Sequence, residues 1–114
     1  MAWTATHRFA RISPTKVRPV ANMIRGRNVD EALNMLKFTP NRAAYLVRKA
    51  LSSALANADE AEADVELLYV ERAFVDQAAS IKRLREKDRG RAHPILKRNS
   101  HITIVVEERR KAQR

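Results

Sequence analysis

Lys82, Arg83, Arg85, Lys87, Arg89, Arg91, Lys97 and Arg98 all fall within residues 80–101, where Glu86 and Asp88 are the only acids. Guanidinium and ammonium groups at this density suit charge-assisted hydrogen bonding to a phosphate backbone. Arg89 and Arg91 flank Gly90, where the missing Cβ lets the backbone approach another backbone closely, so this turn is a candidate nucleic-acid contact. Lys97, Arg98, Ser100 and His101 add hydroxyl and imidazole groups to cations. They form a second candidate set, able to bond phosphate or a ribose 2′-OH.

These side chains need a support that they cannot build themselves. Within 80–101 only Ile81, Leu84, Ile95 and Leu96 offer sizeable apolar surface, too little for a core. The flanking runs 67–75 and 102–106 are rich in β-branched and aromatic residues and read as strands, with Gly90 near the midpoint between them. The pattern predicts a long β-hairpin over about 76–102 with a basic tip, projecting from a globular base. At about 3.3 Å per residue an arm of about twelve residues reaches about 40 Å. A solvated, disordered basic loop is the alternative.

The remainder of the chain must supply the base. Its 114 residues suffice for one domain with a modest core. A net charge of +10 favours nucleic acid or, less often, an acidic membrane surface. Without cysteine there is neither a disulfide framework nor a thiolate metal site. No apolar run approaches the roughly 20 residues of a membrane span, and the N-terminus lacks an apolar signal core, so an intracellular partner is expected.

Residues 2–12 suit a short extended segment carrying Arg8 and Arg11 on its open face. Ser13-Pro14 then reads as an N-cap and first helical residue. Val17, Val20, Ala21 and Ile24 recur at helical spacing up to Gly26, a left-handed stop, and Pro19 predicts a kink or a late start. Lys16, Arg18, Arg25 and Arg27 around this helix form a second candidate basic patch. Asn28 and Glu31 have capping-box spacing before a short helix, and Thr39-Pro40 repeats the cap-then-proline signal. Over 41–58, Ala43, Val47, Ala50, Leu51, Ala54, Leu55 and Ala58 mark a longer helix whose alanines allow close packing on a sheet. Arg42, Arg48 and Lys49 read as its solvent face, and Trp3, Phe38, Tyr45 and Phe74 as core. Residues 59–66 are acidic, so the basic excess is segregated elsewhere. Residues 107–114 have nothing to bury and are expected to fray.

Catalysis has little to work with: His7, His93 and His101 lack a nucleophile or carboxylate at a recognisable spacing. With only Gly26 and Gly90 there is no glycine-rich phosphate loop, and the acidic run lacks calcium-loop spacing. Neither metal nor cofactor is expected, and aromatics at 5% of the chain argue against a base-stacking mode. A free-standing architectural or regulatory nucleic-acid-binding protein stays open as a reading, with a basic nuclease behind it.

Asp88-Arg-Gly-Arg-Ala-His-Pro-Ile-Leu-Lys-Arg-Asn-Ser-His-Ile-Thr-Ile-Val-Val106 resembles the C-terminal signature of the L twenty-two family of large-subunit ribosomal proteins. Ser13-Pro-Thr-Lys-Val-Arg-Pro-Val-Ala-Asn-Met-Ile-Arg-Gly26, residues 50–57 and Phe74-Val-Asp76 extend the likeness along nearly the whole chain, in order. The resemblance implies an α/β (α+β) fold, with about three helices packed on an antiparallel three-stranded sheet from which the hairpin protrudes. It also implies a non-enzymatic, cytoplasmic constituent of the large subunit that binds several rRNA domains and neighbouring ribosomal proteins, without membrane contact or homo-oligomerisation. Ile81, Lys82, Arg83, Arg85, Arg89, Gly90, Arg91 and Ala92 would then approach the nascent peptide in the exit tunnel, where changes alter macrolide sensitivity. In one departure, Glu86-Lys87-Asp88 stands where bacterial members commonly have Pro-Arg-Ala, which lowers the tip's positive charge and removes a stiffening proline.

Overall fold

The computed structural model describes residues 2–87 and 91–109, with side chains placed for 2–79 and 97–109. Three strands, β1 (Ala2–Ala10), β2 (Leu68–Lys87) and β3 (Arg91–Glu108), form one sheet in the order β1-β3-β2, antiparallel throughout. Helices α1 (Pro14–Ile24), α2 (Val29–Phe38) and α3 (Arg42–Glu60) fill the first crossover, and a 3-10 turn (Val65–Leu67) leads into β2. The α+β architecture expected above is the one observed. Among the described residues no helix is long and apolar enough to cross a membrane.

The core follows from the two-residue period of the central strand. Ile102, Ile104 and Val106 of β3 are fully buried. They stand opposite Val75, Ala73 and Val70 of β2, and Ile104 and Val106 opposite Ala5 and Trp3 of β1, so one sheet face is apolar across all three strands. Val17, Val20, Ala21 and Ile24 of α1 and Ala43, Val47, Ala50, Leu51, Ala54 and Ala58 of α3 cover that face. The other face carries Thr4, Thr6, Arg72, Phe74 and Thr103.

Several helix signals act as read. Pro14 opens α1 and Gly26 follows its end with φ +83°, but Ser13 at the N-cap position accepts no capping N–H through its side chain, its hydroxyl lying 3.2 Å from that of Thr15. The helix does not start late for Pro19: it runs through it and forgoes one backbone bond, the one to the carbonyl of the exposed Thr15. The capping box at Asn28 is not made. Asn28 Oδ1 accepts from Arg109 Nε at 3.2 Å, and Glu31 pairs with Arg27 at 2.8 Å. Thr39 does not start α3 either; it closes α2, its hydroxyl donating to the Met35 carbonyl at 2.7 Å, while Asn41 caps α3 by accepting from the Ala44 N–H at 2.8 Å.

Three aromatic residues read as core lie outside it. Phe38 is 79% exposed, Tyr45 49% and Phe74 36%, whereas Trp3 packs partly buried against the core. Tyr45 sits off the buried stripe of α3 with the cations of Arg48 and Lys49 over its ring, 5.6 and 5.1 Å from the centroid, and Arg72 lies 5.7 Å from that of Phe74. The strand also continues past Val106. Glu107 and Glu108 pair with Ala2, Tyr69 and Leu68, because ladder bonding needs only backbone, and Arg109 N donates to the Leu67 carbonyl at 2.7 Å.

Candidate nucleic-acid interface

β2 is an edge strand, and an open edge presents unpaired N–H and C=O groups. Arg18 of α1 and residues 25–27 just after that helix cover part of it. Gly26 N donates to the Val70 carbonyl and Val70 N to the Arg27 carbonyl, both at 2.8 Å. Arg25 Nη2 then donates to the Ala73 carbonyl and Arg18 Nη2 to that of Val75 at 3.3 Å. A guanidinium carries five N–H groups, so the exposed Arg18 and Arg25 keep most of theirs for an outside acceptor, in a fixed pose. Arg27 is different, since Glu31 offsets its charge.

Lys16 is brought to a separate place. It lines a cleft of about 440 Å³ with Arg11, Ser13, Asn41 and Arg42, between the starts of α1 and α3. Three cations converge there without a carboxylate, beside the positive ends of two helices, an arrangement suited to a phosphate group. Arg11 and Arg42 are absent from the candidate set that the sequence suggests. A signal was present, as each stands next to or near a cap residue, Ser13 and Asn41. Arg8 lines a smaller cleft with His7, Lys49 and Ser53.

The third group is the hairpin. Its ladder continues beyond the base through Ile81↔Lys97, Arg83↔Ile95, Arg85↔His93 and Lys87↔Arg91. The side chains of Ile81, Lys82, Arg83, Arg85, Lys87, Arg91 and Ala92, and all of Arg89 and Gly90 with the turn expected there, lie outside the described residues. Lys97 and Arg98 are exposed at the root. Their neighbours are not free: Asn99 Nδ2 donates to the Ala79 carbonyl at 3.1 Å, and the fully buried Ser100 donates to that of Ile12. His101 Nδ1 accepts from Phe9 N at 3.1 Å, its ring edge-on to Phe9 with centroids 4.7 Å apart. Phe9 sits at a bulge in β1 with φ 55°, and β2 is irregular between Ala78 and Ile81, so both outer strands deform where the hairpin leaves the base.

Seven of the described cations thus form an edge row (Arg18, Arg25), a cleft (Arg11, Lys16, Arg42) and a root (Lys97, Arg98), while Asp59, Glu60, Glu62, Asp64 and Glu66 are exposed in and just beyond the last turn of α3. Residues 5–107 match the family model described as "Ribosomal protein L22p/L17e". Among curated proteins, the "Large ribosomal subunit protein uL22" of Desulfosudis oleivorans is 50% identical over 106 residues, covering 93% of each chain. A match of this extent, on a fold with this strand order and hairpin, is decisive: the chain belongs to the ribosomal protein L22p/L17e family.

Proposed function

We propose that the chain is a structural rRNA-binding constituent of the large ribosomal subunit, with its globular base at the subunit surface and its hairpin running between rRNA segments toward the nascent-peptide exit tunnel. It is not an enzyme, as its family is structural. The observation that carries the reading is where β1 ends. Its last pair is Ala10↔Ser100, yet β2 and β3 stay paired out to Lys87↔Arg91. A two-stranded ribbon without a third strand or a packed helix is marginal in water, and this one has little apolar sequence and many cations. A polyanion on both sides supplies what the protein lacks. The edge row, the cleft and the root add sequence-independent phosphate contacts on the base.

The test is binding to large-subunit rRNA fragments over a salt series, comparing the intact chain with one in which residues 81–95 are replaced by a short turn. Affinity and salt slope should both fall, the slope by about 0.7–0.9 for every phosphate no longer neutralised. Unchanged affinity and slope would move RNA binding wholly onto the base. Stoichiometric sedimentation with the large subunit separates this function from that of a free-standing nucleic-acid-binding protein. A photo-reactive side chain at position 89 in stalled ribosomes tests the tunnel placement, by whether it labels the nascent chain.

A further inference from the structure

The acidic side of the molecule carries a groove that shares no residue with the edge row, the cleft or the root. It lies between α2 and the 3-10 turn, has a volume of about 510 Å³, and is floored by Met35, Val65 and Leu68. Phe38 stands in its wall with 79% of its surface exposed. Asp30, Glu31 and Glu66 line it as well, and no lysine or arginine does. Among the described residues Glu31 alone of the three has an ion-pair partner, Arg27, which leaves Asp30 and Glu66 uncompensated.

We propose that this groove docks a cationic segment of a neighbouring large-subunit protein, with an apolar side chain of that segment packed on Phe38 and its lysines or arginines set against Asp30 and Glu66. Charge complementarity selects the occupant. In a chain of net charge +10 this is a locally anionic surface, which repels an RNA backbone, and its apolar floor rewards an aliphatic or aromatic side chain that RNA does not offer. A second copy of this chain would have to bring a basic surface with an apolar anchor. Its exposed aromatic residues on basic surfaces, Tyr45 and Phe74, already carry the cations of Arg48, Lys49 and Arg72 over their rings, and self-association is one outcome that the test separates. The inference rests on the functional reading only for where the partner is sought.

The test places p-benzoylphenylalanine at position 38, where the native side chain is so exposed that folding is unaffected, and irradiates purified large subunits containing the chain. The expected product is an RNase-resistant adduct with another ribosomal protein, through a peptide rich in Lys and Arg. Adding Asp30→Lys and Glu66→Lys should lower its yield at least fivefold. An RNase-sensitive adduct, an adduct with a second copy, an adduct unaffected by charge reversal, or no adduct would each overturn the proposal. Whether the chain sediments with the subunit judges the functional reading, and what is attached to residue 38 judges the groove, so the two fail separately.

Discussion

Ser100 Oγ donates a 2.6 Å hydrogen bond to the carbonyl of Ile12 from a position with no solvent exposure. With Asn99 bonded to Ala79 and His101 to Phe9, three consecutive residues of β3 tie the root of the hairpin to β2, to β1 and to the turn before α1. A long lever needs a stiff mount. The run 97–101 therefore divides its labour, with Lys97 and Arg98 facing outward and the next three holding the arm in direction.

Ser100→Ala removes that bond and should destabilise the protein by about 1–3 kcal/mol, since the Ile12 carbonyl is left without its partner in a partly desolvated place. Urea unfolding measures the loss. The rRNA affinity of the folded protein should stay within twofold of the parent; a large drop in affinity at unchanged stability would instead make Ser100 an RNA ligand.

What was legible in the sequence was local. Pro14 and Gly26 bound α1 because a fixed φ and a left-handed residue act within one turn, whereas the Ser13 hydroxyl caps nothing and meets that of Thr15. Asn28 and Glu31 misled because their side chains are claimed by Arg109, distant in sequence, and by Arg27. Residue type alone puts Phe38 and Tyr45 in the core, although helical phase sets Phe38 away from Val29, Ala32 and Leu36, and Tyr45 beside Arg48 and Lys49. Of the site, the clustering of cations could be read, but not their division into edge, cleft and root. That division depends on β2 being an edge strand and on two helix starts meeting, which are tertiary facts.

Ala54 of α3 is fully buried on the helix that packs against β1 and β3. Enlarging it forces the helix off the sheet, so Ala54→Leu should cost about 1–3 kcal/mol through overpacking. The neighbouring Leu51→Ala should cost about 2–5 kcal/mol through a cavity. Chemical denaturation of both variants checks the close approach that the alanines permit. A neutral or stabilising Ala54→Leu would mean that the interface has slack.

Tyr69 lies between Glu107, whose Oε2 accepts from its hydroxyl at 3.3 Å, and Arg109, whose guanidinium sits 4.4 Å from its ring centroid. Desolvation first, and then the Glu107 charge and hydrogen bond, hold its pKa above the usual 10.0. Folding thus favours the neutral phenol. Its contribution is fully present below the unfolded-state pKa and is lost as pH rises through the folded one. Tyr69→Phe should lie within about 0.5 kcal/mol of the parent at neutral pH and lose less stability than the parent above about pH 10. Parallel urea midpoints from about pH 8 to about pH 11 would rule the coupling out.

Arg11, Lys16 and Arg42 share one cleft, and a phosphate held there would feel all three. Replacing each by Gln removes charge while keeping polar side chains at the cleft's rim, so stability should change by less than about 0.5 kcal/mol per substitution. The salt slope of rRNA binding should fall by about 0.7–0.9 for every phosphate that is no longer neutralised. Glu60→Gln with Glu62→Gln, on the acidic side, should leave that slope where it was. Because the three cations act on one group, the first substitution should cost the most affinity and the third the least, whereas three independent solvated cations would each change it equally or not at all. A double-mutant cycle between Lys16 and Arg42 decides between these outcomes: a coupling energy of at least about 0.5 kcal/mol marks a shared phosphate, and strict additivity marks a merely basic surface.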